Sequence, residues 1–367
     1  DAQESRGLGD VYKRQQNIIS IIGLAVGLLC FCVCIYCCRF VESTDHCFAN
    51  HDRIAELNLY DGKADRYFSG SPVPLAEELR TWALGETEAI SSVTYPRERP
   101  YYVELSPEKM LPYELETIEI DTCYNKIFTP EMVAGHWKMA SQSLNSVILS
   151  QSMAIKIFGN AESAIGKHMT LMRRLNTSPE STPKTGGIVY TIQAVMKDIP
   201  LNNSLDFMQN IDMLTVNDSE GLLQSPKRHN MTGANTYVLL SPQTTCTDLE
   251  KQFSKRDYTY TLYDEAYTVT ASNMGSRLKK QGASYLELVT GTVGTLILLV
   301  GLINFFHFLI GSFFNRTKEY SIMKMIGCNW KQLFCLLFTQ SLIVISISSI
   351  LVLSLIHISE PTRLLSI

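Results

Sequence analysis

The sequence lacks a strong charge bias and lacks the motifs of the common enzyme classes. Its 367 residues carry 32 Lys and Arg against 36 Asp and Glu, a formal net charge of −4. Proteins that bind nucleic acid usually carry a basic excess, so this balance argues against a nucleic-acid partner. No nucleophile elbow, zinc-protease helix or kinase signature occurs. We therefore expect no catalytic residue, no metal site and no cofactor.

Cysteine and histidine are present, but not in the pattern of a metal site. Five cysteines crowd one apolar run without any His, Asp or Glu: Cys30, Cys32, Cys34, Cys37 and Cys38. We interpret them as small polarizable side chains of a lipid-facing helix. His46 and His51 flank Cys47, but a spacing of five does not place both histidines on one helical face. Among Cys47, Cys123 and Cys246, one pair is available for a disulfide in an oxidising compartment, and which pair stays open.

The two ends of the chain are interpreted as translated adapter DNA. Residues 10–15 and 353–358 can be encoded by complementary DNA strands, and the match continues outward at both ends. Natural termini have no reason to be reverse complements over this length. We therefore predict that residues 1–15 and 353–367 are not native and that both native termini are missing. Resequencing unamplified genomic DNA across both junctions tests this, and finding the same codons there would contradict it.

Long apolar runs without charge dominate the rest of the sequence. A helix of about 20 apolar residues crosses a hydrocarbon core, and inside lipid every backbone group must be paired within the helix. We predict transmembrane helices over residues 16–38, 286–315 and 332–352, each built around a charge-free run, the last one truncated. In the first, Gly23 and Gly27 show the small-residue spacing that lets another helix approach closely.

The second predicted span carries two polar residues. Asn304 and His307 are three apart, so they fall on one helical face. Polar groups at this depth usually face other helices or water. We interpret them as an interhelical hydrogen-bonding site, and the alternative is a coupling or substrate pathway.

A short basic loop sets the predicted topology. Residues 316–331 carry four basic residues against one acidic residue. Short basic loops stay in the cytoplasm, which places residues 39–285 on the other side. The basic residues Arg277, Lys279 and Lys280 argue the other way, but long translocated domains follow the charge rule poorly.

Residues 39–285 show mixed periodicity. Strands are predicted at 145–150, 189–196 and 236–240, and a helix over 151–158 is ended by Gly159. The predicted fold class is an α+β extracytoplasmic domain on a transmembrane helical bundle, of which three helices are present and the bundle is truncated.

These stretches resemble the FtsX-like, or MacB-type, ABC transporter permeases. The likeness rests on the order and spacing of several motifs that are each weakly specific: residues 17–27, 48–54, 145–167, 190–200 and 303–327. Two residues depart from the pattern, because His307 stands where a small polar residue is commoner and Cys328 where Ala is usual. Such permeases have a fourth span, and longer members repeat the whole unit.

The resemblance implies a permease subunit of an ABC-type export or mechanotransmission complex in the bacterial cytoplasmic (inner) membrane, multi-pass, with residues 39–285 in the periplasm. A separate cytoplasmic ABC ATPase would hydrolyse ATP and move the 316–331 loop. Further implied partners are membrane lipid and either a second copy of the chain, which would form a homodimer, or a missing second half of the permease, which would form a pseudo-dimer. The predicted coupling residues are Arg316, Lys318, Glu319, Met323, Lys324, Ile326 and Gly327. If the loop is helical, Met323, Ile326 and Trp330 share a face.

Two alternatives stay open. In the first alternative, the 316–331 loop is a solvated basic connector that only sets the topology and does not bind an ATPase. In the second alternative, the whole chain is a membrane-anchored sensor whose extracytoplasmic domain binds a ligand and signals through a partner. A sensor of this kind usually carries a sizeable cytoplasmic domain.

Overall fold

The computed structural model describes residues 2–68, 70–82, 84–106, 109–171, 187–205, 210–216, 223, 232–262, 265–276 and 284–364. The chain divides into two compact units. The helical unit is Asp1–Glu42 with Gly282–Ile367, and the α/β unit is Ser43–Gln281. The basic residues Arg277, Lys279 and Lys280 lie outside the described residues.

The α-helices within the described ranges are α1 (Ala2–Glu42), α2 (Leu75–Arg80), α3 (Tyr124–Phe128), α4 (Trp137–Gln142), α5 (Gln151–Phe158), α6 (Cys246–Lys255), α7 (Ser284–Asn315), α8 (Thr317–Met325) and α9 (Trp330–Leu364). Short 3-10 helices lie at His51–Arg53 and Glu162–Ala164. The strands are β1 (Ile54–Asp61), β2 (Arg66–Tyr67), β3 (Ser71–Pro72), β4 (Thr87–Thr94), β5 (Arg97–Ser106), β6 (Lys109–Ile120), β7 (Met132–Gly135), β8 (Ser146–Ser150), β9 (His168–Leu171), β10 (Ile188–Met196), β11 (Met213–Val216), β12 (Thr232–Leu240), β13 (Thr259–Leu262) and β14 (Glu265–Asn273).

Three helices of the helical unit are long and apolar enough to cross a membrane. Their apolar segments are Ile21–Glu42 in α1, Glu287–Gly311 in α7 and Trp330–Leu355 in α9. In this unit α1 packs against both α7 and α9. The buried apolar cluster is small, consisting of Leu24, Phe305, Phe308 and Val344 with a few half-buried neighbours.

Six strands of the α/β unit close into a ring. The order β11-β8-β10-β9-β5-β6 is closed because β11 pairs with both β8 and β6. The β8–β10 and β6–β11 pairs are parallel, and the other four pairs are antiparallel. From β6 the sheet continues through β4, β12, β1, β14 and β13.

Large apolar side chains fill three cores of the α/β unit. One is formed by the ring strands and α5 and includes Tyr101 and Tyr190. A second joins α3 and α4 to the sheet around Phe128 and Tyr237. A third lies under α2 and α6 around Leu57 and is lined by the five strands beyond the ring.

The local predictions for this unit are confirmed, with small shifts of the bounds. Helix α5 covers 151–158, the Ser150 hydroxyl accepts a hydrogen bond from the Met153 N–H, and Gly159 ends the helix at φ 84°. In β10, Tyr190, Ile192 and Ala194 are fully buried on one face, as the alternation predicts. The predicted strand at 236–240 begins earlier, at residue 232. An α/β unit with three long apolar helices confirms the predicted fold class.

Candidate functional site

The predicted coupling loop contains a helix of nine residues, α8, between α7 and α9. At its start the Thr317 hydroxyl donates to the carbonyls of Phe313 (3.2 Å) and Phe314 (2.8 Å). After its end Gly327 adopts φ 102°, in the left-handed region that glycine enters without steric cost. There the Cys328 N–H donates to the Met323 carbonyl over 3.0 Å. The Gly327 N–H also donates to the Lys324 carbonyl over 3.1 Å, and the two bonds form a Schellman motif that separates α8 from α9.

A buried aromatic contact fixes α8 to the preceding helix. The Tyr320 side chain is only 5% exposed, and its ring stacks on Phe313 of α7 with centroids 5.5 Å apart. The Tyr320 N–H donates to the Arg316 carbonyl over 3.0 Å. Tyr320 therefore faces the helical unit.

The remaining apolar side chains of this segment point outward. Met325 is 79% exposed and Ile326 82% exposed, and Ile322 and Met323 are exposed as well. We call these four residues the apolar patch. Contiguous exposed apolar side chains on a protein surface mark contacts with another protein or with a membrane. Of the apolar side chains in residues 317–326, only Tyr320 is already covered.

Trp330 does not share a helix with the apolar patch, so that part of the sequence prediction is wrong. The left-handed turn at Gly327 ends α8, and Trp330 opens α9. The Lys324 ammonium lies 4.2 Å from the centroid of the Trp330 ring, a cation–π contact that spans the turn.

Charged side chains surround the apolar patch on the same short segment. Arg316, Lys318, Glu319, Lys324 and Lys331 are all exposed. Four of these five carry a positive charge, so a surface that covers the patch meets a basic rim.

The small residues of α1 lie at the crossing with α7. A Cβ added at Gly27 would lie 3.3 Å from the Gly301 Cα, and one added at Gly23 would collide with the Asn304 amide. The structure therefore brings Gly23, Gly27 and Asn304 together. His307 is exposed, one turn further along α7, and does not join them. The crossing depends on glycine because only glycine leaves room for the facing helix.

The segment that follows α1 brings two histidines together that sequence spacing keeps apart. The His46 and His51 ring centroids are 4.5 Å apart. The spacing argument assumed a helix, whereas residues 43–50 form turns in which a separation of five closes back on itself. Within the described residues, no three His, Cys, Asp or Glu side chains are grouped to hold a metal ion.

The three cysteines of the α/β unit are free thiols in the structure. Cys47 is exposed, and Cys123 and Cys246 are half-buried. A disulfide between two of them in an oxidising compartment stays a prediction.

Residues 291–362 match the family model described as FtsX-like permease C-terminal. This segment of the chain is similar to the C-terminal part of FtsX-like permeases. The match covers α8, most of α7 and most of α9, so the resemblance drawn from the sequence is confirmed for the part that holds the candidate site. Together with the three helices that are long and apolar enough to cross a membrane, the match supports a membrane protein with a permease-like segment. The matched range includes residues 353–362, which are predicted from the sequence to be adapter-derived.

Solved structures resemble the chain more distantly. A domain of a protein described as a permease from Porphyromonas gingivalis is 20% identical, with a TM-score of 0.47, and covers 62% of this chain and 93% of its own. The periplasmic region of MacB from Actinobacillus actinomycetemcomitans is 13% identical, with a TM-score of 0.41 and coverage of 66% and 97%. The extracellular domain of the ABC-type transporter YknZ from Gram-positive bacteria is 13% identical, with a TM-score of 0.35 and coverage of 60% and 100%. No curated protein matches the chain.

Proposed function

We propose that this chain is the transmembrane subunit of an ABC-type export or mechanotransmission complex in the bacterial inner membrane, and that α8 docks onto a separate cytoplasmic ATPase. The observation that carries the proposal is the apolar patch, with Ile326 at 82% exposed, on a short helix between two membrane-spanning helices. Exposing such side chains to water is unfavourable, so a cover is expected. ATP is bound and hydrolysed by the partner, and this chain needs no cofactor of its own.

The basic rim defines the chemistry of the partner surface. Arg316, Lys318 and Lys324 favour a groove with an apolar floor and acidic edges. Burial of the apolar side chains supplies the affinity, and the charges fix the orientation of α8 in the groove. Met323 and Ile326 are the expected central anchors, and truncating a central anchor typically costs about 2 kcal/mol or more of binding energy.

The contact between α8 and α7 is the expected route of motion. Because Tyr320 stacks on Phe313, a displacement of α8 is passed to α7 instead of being absorbed by a loose loop. Helix α7 continues as one element from Asn315 back to Ser284, where the chain comes from the α/β unit. Rigid elements joined by packed side chains transmit such displacements.

The proposed topology places 316–331 in the cytoplasm and 39–285 in the periplasm. It is tested with single cysteines at Lys318 and Ala64, which are both exposed, in the uninterrupted gene lacking native cysteines. A membrane-impermeant thiol reagent should label Ala64→Cys in intact cells and should label Lys318→Cys only after permeabilisation. Labelling of Lys318→Cys in intact cells would overturn the topology.

The docking proposal is tested by placing charge in the apolar patch. Met323→Asp with Ile326→Asp, in the uninterrupted gene, should release the ATPase from purified complexes while the permease stays inserted. A matched control adds the same two charges on the opposite side of α8, as Thr317→Asp with Ser321→Asp, and should retain the ATPase. If the ATPase co-purifies at wild-type yield with both pairs, and its hydrolysis remains coupled, the segment is only a connector.

A further inference from the structure

A buried aspartate lies in the first segment of the α/β unit. Asp45 is 3% exposed and has φ 68°, a left-handed conformation that Asp tolerates better than most residues. Its carboxylate accepts the Ser204 N–H over 2.6 Å and also accepts the Ser204 hydroxyl. Its own N–H donates to the Asn202 carbonyl over 3.0 Å. One residue thus makes three bonds to a segment about 160 positions further along the chain.

The segment that holds Asp45 is itself fixed in shape. The Asn203 amide donates to the Pro200 carbonyl over 2.7 Å and accepts the Leu205 N–H over 2.9 Å. Asn202 reaches back to Ser43, with its amide 3.1 Å from the Ser43 carbonyl and 2.9 Å from the Ser43 hydroxyl. Residues 200–205 follow β10, which belongs to the closed ring. The contact therefore joins the first segment of the unit to the ring.

A third segment closes on the same carboxylate. Gly275 adopts φ 77°, and a Cβ added there would lie 2.7 Å from the Asp45 carboxylate and 3.3 Å from the Ser204 hydroxyl. The neighbouring Met274 N–H donates to the Ile54 carbonyl over 2.9 Å. Gly275 follows β14 and is among the last described residues of the α/β unit. Both ends of this unit therefore meet at Asp45.

Burying the Asp45 carboxylate costs free energy, and its hydrogen bonds offset that cost only in part. Burial raises the pKa of Asp45, while the hydrogen bonds from Ser204 and the nearby His51 and His46 act to lower it. A bond between a charged acceptor and a backbone donor is stronger than a neutral one, and more so away from water. The Asp45 cluster therefore joins distant segments of the chain through charged hydrogen bonds.

We propose that Asp45 is a clasp that holds three segments as one body: residues 43–54 at the start of the α/β unit, residues 200–205 leaving the ring, and residues 273–276 at its end. A force that enters at either end of the unit is then shared with the ring through β10. Without the clasp each end moves separately. The proposal concerns this unit alone and does not depend on the docking of α8.

Hydrogen exchange measured by mass spectrometry on the full chain in detergent tests the clasp. Asp45→Asn keeps the shape and tolerates the left-handed backbone, but it replaces the charged acceptor. Amides of 202–205 should exchange about tenfold faster or more, the size expected for losing a charged hydrogen bond. Amides of 273–276, which pack closely against the same carboxylate, should also exchange faster. Asp257→Asn is the matched control: this aspartate also has positive φ, 48°, but is exposed, so neither segment should change.

Ser204→Ala separates a clasp from a general loss of stability. It removes the hydroxyl bond to Asp45 and leaves every charge in place. Faster exchange at both segments, with the exchange of the ring strands unchanged, supports the clasp. Faster exchange at 202–205 alone, or an unchanged 273–276 segment in both variants, would overturn it. If Asp45→Asn accelerates exchange throughout the unit, the result of Ser204→Ala decides.

Discussion

The α/β unit and the helical unit hold together by opposite means. In the α/β unit large side chains such as Phe128, Tyr237 and Tyr190 are almost fully buried. In the helical unit most large apolar side chains are exposed, and the helices approach through glycine at Gly27 and Gly301. Burying apolar area stabilises a fold in water, but lipid chains are as apolar as leucine. The packing of the α/β unit is therefore suited to water, and the packing of the helical unit is suited to lipid.

The comparison gives opposite rules for substitution. Removing atoms from a buried cluster should harm the α/β unit, because a cavity replaces lost contacts. Adding atoms at the helix crossing should harm the helical unit, because the backbones lose their close approach.

The largest effect is expected from Phe128→Ala in the α/β unit. The Phe128 ring lies 5.0 Å from Phe48 and 5.2 Å from Tyr237, centroid to centroid. Its removal should lower the free energy of unfolding by about 3–5 kcal/mol. Urea unfolding of the detergent-solubilised chain measures this. Leu144→Ala, at an exposed position of the same unit, should change it by less than about 0.5 kcal/mol.

A smaller loss is expected from Gly27→Leu at the crossing of α1 and α7. Overfilling a close contact typically costs about 1–3 kcal/mol. The thermal stability of the detergent-solubilised protein should fall. Val300→Ala removes apolar atoms from an exposed position on α7 and should leave it unchanged. Equal losses from both variants would show that the helical unit is packed like the α/β unit.

Loss of a single helix cap should cost less again. The Ser150 hydroxyl accepts the Met153 N–H at the start of α5, over 3.4 Å. Ser150→Ala should lower the free energy of unfolding by about 1 kcal/mol, the usual value of such a cap. Ser150→Asp, which restores an acceptor, serves as the control and should recover part of the loss; no recovery would mean that the hydroxyl acts elsewhere.

The smallest effect concerns pH. Burial raises the pKa of Asp212, and a hydrogen bond from the Glu116 N–H opposes this. A raised pKa in the folded state means that folding favours the protonated acid. The contribution of Asp212 to the free energy of unfolding is complete below the pKa of the unfolded state, about 3.9. It is lost as the pH rises through the pKa of Asp212 in the folded state. Unfolding free energies of wild type and Asp212→Asn, compared across this range, should diverge as pH rises; parallel curves would contradict the assignment.

Sequence patterns succeeded where the physics is local. Charge-free runs predicted the membrane helices, and the position of Gly159 predicted the end of α5. The closed ring was beyond reach, because it depends on pairing Met213 with Thr117, which are almost 100 positions apart. The inward turn of Tyr320 and the meeting of His46 with His51 were missed, since both need backbone turns that spacing rules for a continuous helix do not describe.

Photo-crosslinking at the apolar patch tests the central claim most directly. A photoreactive amino acid at Ile326, in the uninterrupted gene and in native membranes, reports what covers this exposed side chain. The account predicts a covalent adduct with a nucleotide-binding subunit, identified by mass spectrometry, and a much weaker one from the opposite side of α8 at Ser321. Adducts with lipid alone at Ile326, or equal yields at both positions, would contradict it.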